Sequence, residues 1–267
     1  MQTTVEDLVR IETPAPGVAK LTLNTPRSRN SLSRAMMSTL SNAIAEVTND
    51  DTIKVIILAA QGPAFCAGHD LKEMAAHRDD KDQGREFYTR TMQDCATLMQ
   101  SIVRCPKPVI ARVHATATAA GCQLVASCDL AVASLDAKFC TPGVNIGLFC
   151  STPMVALSRN VSRKHAMEML LVGEMLSADD AVRFGLVNRA VTNEELDSQV
   201  LEFANAIAAK SGHTVAVGKK AFYEQLEKPL SDAYDYASKV MVDNMMHDDA
   251  NEGISAFLDK RPAKWTT

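Results

Sequence analysis

Apolar positions along this chain switch between a period of two and a period near three and a half several times over. Residues 8–13 and 18–23 are β-branched and apolar, parted by Pro14-Ala15-Pro16-Gly17, and predict the two strands of a hairpin. Behind Ser31, a candidate N-cap, Leu32, Met36, Leu40, Ile44 and Val47 recur at helical spacing. Residues 55–60 are apolar without alternation, which predicts a strand buried on both faces of a parallel sheet. Phe87, Thr91, Leu98, Ile102 and Val103 mark another helix, stopped by Cys105-Pro106 and Pro108. A strand over 109–113, a small-residue helix over 119–127 and a strand over 130–134 follow. The rhythm β-β-α repeats as structure, without residue-level identity between the units.

Further on, Ser177 to Asp180 and Thr192 to Glu195 have capping-box spacing, and Gly185 stands where a helix ends before a predicted strand at Leu186-Val187. The ranges 192–209, 214–226, 230–246 and 252–258 carry helical periodicity with no strand between them. That divides the chain into an α/β domain over 1–190 and a helical subdomain over 191–267. Met241, Met245 and Met246 read as adaptable core or interface packing.

Composition narrows the class. A chain of 267 residues, 46% hydrophobic and 22% charged, has enough apolar content for one sizeable core. A net charge of −4 gives no basic footprint, so nucleic acid is not the expected partner. The seven cysteines lack metal-ligand or disulfide-framework spacing, so no metal is expected and a reducing compartment fits. The start, MQTTVEDLVRIETPAPG, has no apolar or Arg-rich leader pattern, and no run is long enough to span a bilayer. The expectation is a cytoplasmic protein without membrane insertion.

Candidate chemistry sits in two loops. The stretches 61–74, QGPAFCAGHDLKEM, and 106–153, centred on ATATAAGCQLVASCD, each end an apolar strand in small residues and open onto a helix. Each therefore delivers bare backbone N–H groups to a surface, and two such loops converging would stabilise charge developing on a carbonyl oxygen. Asp70, followed by Glu73, reads as the N-cap of a short helix, and the charged run 77–86 reads as a solvated loop.

LTLNTPRSRNSLS, GPAFCAGHDLKEM, PKPVIARVHATATAAGCQLVASCDLAVAS, KFCTPGVNIGL and LSADDAVRFGLVNRAV, in that order, resemble the enoyl-CoA hydratase/isomerase (crotonase) superfamily, over about residues 18–265. ATAAGCQLVASCD and TPGVNIGLFCSTP resemble most a poorly characterised branch of it. The resemblance implies a crotonase-type ββα superhelical spiral, a C-terminal helical trimerisation subdomain forming a homo-trimer or hexamer, and an acyl-CoA substrate with no separate cofactor. It places the two oxyanion donors at the amides of Ala67 and Ala120, and CoA contacts at Arg27 and, from a neighbouring subunit, Phe257 and Lys260.

Where that superfamily carries two catalytic glutamates, this chain has Gln123 and Gly143. Gln123 holds a water but exchanges no proton near neutral pH, and Gly143 supplies no side chain, so paired-carboxylate hydration is not supported. Weak or atypical hydratase or isomerase activity is expected, and putting glutamates back at both positions is the change expected to restore rate if the pocket accepts them. The resemblance also implies stand-ins: a bicarbonate or water at Gly143 helped by Thr141, a His69 imidazole that binds the carboxylate of a malonyl-type CoA before decarboxylation, and Cys150 as a thiol acid or nucleophile. The bland alternatives are packing for His69, inert packing for Cys150, and an acyl-CoA binding or regulatory module without catalysis.

Overall fold

The computed structural model describes residues 8–266; the acidic-polar start over 1–7 lies outside the described residues. The chain opens with the predicted hairpin, β1 (Val9–Ala15) and β2 (Val18–Leu23), paired antiparallel with a bulge between Glu12 and Ala15. Helix α1 (Arg34–Thr48) starts later than expected: Ser33, whose Oγ accepts from the Met36 N–H at 3.1 Å, is the cap. Ser31 instead donates its hydroxyl to Asp70 Oδ2 at 3.2 Å, and Leu32 lies in an extended bridge to His69.

Three ββα units follow. The first is β3 (Val55–Ala60), β4 (Ala64–Cys66), the short α2 (Leu71–Ala76) and α3 (Arg85–Arg104). The second is β5 (Val109–Val113), β6 (Thr116–Thr118) and α4 (Ala120–Ser127). The third is β7 (Leu130–Ser134), β8 (Lys138–Cys140), a 3-10 turn Pro142–Ile146, α5 (Pro153–Asn160) and α6 (Arg163–Val172). A last turn of chain adds β9 (Leu176–Ser177), α7 (Ala178–Phe184) and β10 (Arg189–Val191). The strand expected at Leu186-Val187 is displaced to β10, because both residues pack into the core straight after the left-handed cap Gly185.

The first strand of each unit joins a six-stranded sheet, ordered β1-β2-β3-β5-β7-β10, parallel except for β1. The second strands form a small sheet, β4-β6-β8-β9. This is the ββα spiral that the resemblance implies. Strand β3, inside the large sheet, reads as an unbroken apolar run because both its faces are buried. Ile56 and Leu58 face the main core, while Val55 and Ile57 pack with Ile110 and Val132 against Leu196, Val200 and Ala204 of α8 (Asn193–Ala208).

Three helices end the chain: α9 (Gly212–Gln225), α10 (Leu230–Met245) and α11 (Asp248–Leu258). One buried ion pair latches α9 to the spiral. Lys219 Nζ, its side chain 7% exposed, donates to Asp129 Oδ2 at 2.7 Å and to the carbonyls of Ile102 and Lys107, and Tyr223 adds a hydrogen bond to Asp129 Oδ1. Such a pair stabilises little net, but losing one partner costs about 3–5 kcal/mol. No helix among the described residues is long and apolar enough to cross a membrane.

Candidate active site

The first of the two loops is positioned by Asn30. Its buried side chain accepts from the Thr25 N–H at 2.8 Å and donates to the carbonyls of Gln61 and Ala64, with Arg29 and Asn30 both in the left-handed region at φ 54° and 53°. Asparagine tolerates that conformation better than most residues. The turn aims the Arg29 carbonyl at the Ala67 N–H, which donates to it at 3.0 Å, while the Ala67 carbonyl accepts the Thr118 hydroxyl at 3.0 Å. Ala67 is therefore spent on both sides of its peptide, and the expectation that its amide is a free donor is corrected. Among the described residues the amide two positions on, at His69, has no acceptor.

The second loop ends at the α4 N-terminus, where the Ala120 N–H likewise has no acceptor. One residue earlier, Ala119 is held at φ 51°, ψ −119°, a conformation that strains any residue with a Cβ, while its N–H donates to the Cys140 carbonyl at 2.9 Å. Glycines let the two loops touch. A Cβ on Gly68 would lie 2.9 Å from the Ala119 Cβ and 3.3 Å from the Ala120 nitrogen, and one on Gly121 would overlap the Cys66 carbonyl. The Gly68–His69 peptide thus runs against the Ala120 amide, which brings two unspent N–H donors together at a helix N-terminus.

Gln123 is buried one turn below Ala120, and its Oε1 accepts from the Cys95 thiol of α3 at 3.8 Å. Burial pushes the Cys95 thiol up to about 11, so it stays a proton-bearing donor. Opposite, the space beside Gly143 is filled. A Cβ there would meet Cys150 Sγ and the Leu148 carbonyl oxygen, each at 2.9 Å. Glutamate at both positions is therefore not tolerated by this pocket without moving the 148–150 segment. Thr141, expected to help hold an anion, donates its hydroxyl to the Met169 carbonyl at 2.8 Å, so that hydroxyl has no proton left for one. Cys150 is buried and its thiol is raised by burial, as are Cys122 and Cys140, the latter to about 11. A thiolate nucleophile needs the opposite shift.

His69 does not cap a helix. Asp70 does that, accepting from the amides of Lys72 and Glu73, while Glu73 reaches across to the Arg34 N–H at 3.1 Å instead of closing a capping box. The imidazole places Nδ1 3.4 Å from the Leu32 carbonyl, and Nε2 is buried with no partner among the described residues. Burial lowers the His69 pKa, against a smaller opposing effect of the Leu32 carbonyl. A carboxylate-binding imidazolium is thus disfavoured.

Arg27 lies exposed in the 3-10 turn Pro26–Ser28, at the far end of the chain from Phe257, which is 82% exposed on α11, and from Lys260, held left-handed just beyond it. Helix α11 packs on α9 and α10, and Arg261 is taken by Glu252 at 2.7 Å, which leaves Lys260 as the exposed cation next to Phe257. Sequence reasoning missed Asn30, Cys95 and Ala119. Only Asn30 left a signal, as an asparagine after a proline turn.

A family model described as enoyl-CoA hydratase/isomerase matches residues 13–267. The chain is 48% identical over 250 residues to a mitochondrial enoyl-CoA hydratase domain-containing protein 3 of Rattus norvegicus, covering 94% of this chain and 82% of that protein. The Homo sapiens protein of that name is 47% identical over the same share of this chain and 81% of its own. Its crystal structure superposes with a TM-score of 0.91 over 97% of this chain and 100% of that one. A Mycobacterium smegmatis structure named enoyl-CoA hydratase gives 0.92 at 50% identity, covering 97% and 99%. The mitochondrial names of the rat and human relatives overturn the cytoplasmic expectation. Compartment is set by receptor-read addresses, and buried free cysteines speak only of a reducing environment.

Proposed function

Because the chain belongs to the enoyl-CoA hydratase/isomerase family, we propose that it binds an acyl-CoA thioester with the carbonyl oxygen between the amides of His69 and Ala120, and supports hydratase-type chemistry without paired carboxylates. The observation that carries this is the convergence of those two unspent N–H groups across Gly68. Amides fixed in place stabilise a developing enolate oxygen more than the ground-state carbonyl, because they need no reorganisation as charge appears. Each missing general acid or base costs roughly 10²–10⁴ in rate, so turnover of crotonyl-CoA falls well below the ordinary range of about 1–10³ s⁻¹. Decarboxylation of a malonyl-type CoA is the weaker reading, since burial holds His69 uncharged.

Calorimetry with butyryl-CoA and free CoA tests this directly. The wild type should bind the thioester more tightly than free CoA. Gly68→Ala, which sets a methyl 3.3 Å from the Ala120 nitrogen at a φ of +86°, should remove that difference. A Gly68→Ala variant that keeps the full thioester preference would sink the assignment of these amides. Free CoA affinity in the variant reports that the rest of the site is intact.

A further inference from the structure

The His69 ring presents a buried polar atom distinct from its main-chain amide. Nδ1 faces a carbonyl oxygen, which only accepts, so the neutral ring takes the tautomer with the proton on Nδ1. Nε2 is then a bare lone pair, buried and without a partner among the described residues, and an acceptor left unpaired in the interior costs about 1–3 kcal/mol. Such a group is satisfied by a ligand that donates. The same residue supplies the free amide, so the ring and that donor belong to one backbone position beside Ala120. The neighbouring charges are engaged elsewhere. Asp70 is taken by Lys72 N–H, Glu73 N–H and the Ser31 hydroxyl, and Glu73 by Arg34 N–H. Only burial and the Leu32 carbonyl act on the ring.

We propose that His69 Nε2 is the proton acceptor of this site, taking a hydrogen bond from a water or a hydroxyl at the acyl β-carbon, so that 3-hydroxyacyl-CoA thioesters are its matched ligands. This rests on the thioester reading above. In the hydration direction the water oxygen bonds to the β-carbon as its proton passes to Nε2. The Cα=Cβ pair shifts toward the carbonyl, giving an enolate at the two amides. The imidazolium then returns its proton to the α-carbon, leaving 3-hydroxyacyl-CoA and a neutral ring. Burial favours that return, because it disfavours the charged ring.

The test compares 3-hydroxybutyryl-CoA with butyryl-CoA by calorimetry from pH 5 to 8, on the wild type and His69→Ala, which keeps the main-chain amide. One added hydrogen bond predicts about a fivefold preference for the hydroxylated ligand in the wild type at the alkaline end, where the ring is neutral, absent in His69→Ala. Hydration by His69→Ala should drop roughly 10²-fold at nearly unchanged butyryl-CoA affinity. A wild type without the preference, or a variant that keeps it, overturns the proposal while butyryl-CoA binding still supports the thioester reading. Loss of butyryl-CoA binding by the wild type overturns both. A readout that needs no variant is the ¹⁵N resonance of His69 Nε2, which should move on adding 3-hydroxybutyryl-CoA and not butyryl-CoA; equal responses overturn the proposal.

Discussion

At Gly143 the missing carboxylate is a packing fact before it is a chemical one. The atoms that a side chain would meet are Cys150 Sγ and the Leu148 carbonyl, and the second cannot rotate away. Adding Gly143→Glu to a Gln123→Glu background should therefore cost about 1–3 kcal/mol of stability by overpacking and bring no further rise in crotonyl-CoA hydration. Urea unfolding and steady-state turnover of the single and double variants check this, and a double variant that is both faster and as stable would show that the 148–150 segment yields. The oxyanion loops teach a related lesson. AFCAGHD announces a turn that offers amides, and that much was legible. Which amide stays free depends on Arg29, nearly forty residues away in sequence, whose carbonyl reaches Ala67 only because Asn30 ties the turn to Gln61 and Ala64. Local pattern carries no such long-range hydrogen bond, so the donor moves from Ala67 to His69.

Among the elements, long periodic helices and the all-apolar strand β3 were readable because their burial is continuous over several turns or residues. The small sheet was not, since β4, β6 and β8 have three residues each and β9 two, too few to show a period. Helix α11 offers a further check through its acid sensitivity. Glu252 bonds both Arg261 nitrogens and the Lys264 N–H, and Trp265 packs its ring over Gly253 and donates to the Ala209 carbonyl at 2.8 Å. Hydrogen bonds from Arg261, then from Lys264, hold the Glu252 carboxyl down at about 2 from 4.5. A carboxyl lowered on folding stabilises above its unfolded value, and that contribution is lost as pH falls from about 4.5 toward 2. Trp265 is the chain's one tryptophan, so its emission should shift red in that window as the tail undocks. Glu252→Gln should show the shifted emission already at neutral pH, and an emission flat to pH 2 in the wild type would count against the tail being held this way.

Most of the exposed large apolar side chains fall in two stretches of the chain. One lies on the terminal helices, with Leu230, Tyr234, Met246 and Leu258, and the other lies between Ile146 and Met175, with Phe149, Leu171 and Val172. Neither is covered within the chain, although α9 is firmly latched to the spiral, and exposed patches of this kind mark association surfaces. Two different surfaces that pair with each other make a head-to-tail contact, which closes into a ring when the rotation allows. The resemblance implies a trimer or hexamer, a ring of this kind, for which sedimentation should give a mass of three or six chains. Met246→Asp and Leu171→Asp test the pairing itself. Each alone should stop the ring, because every contact then meets one charged surface. Mixed, the two variants share one undamaged contact, tail of one against 146–175 of the other, and should form two-chain species and nothing larger. If like surfaces paired instead, the Met246→Asp variant would still associate through its intact 146–175 face without any partner variant. Sedimentation of the separate and mixed samples distinguishes these outcomes by mass alone.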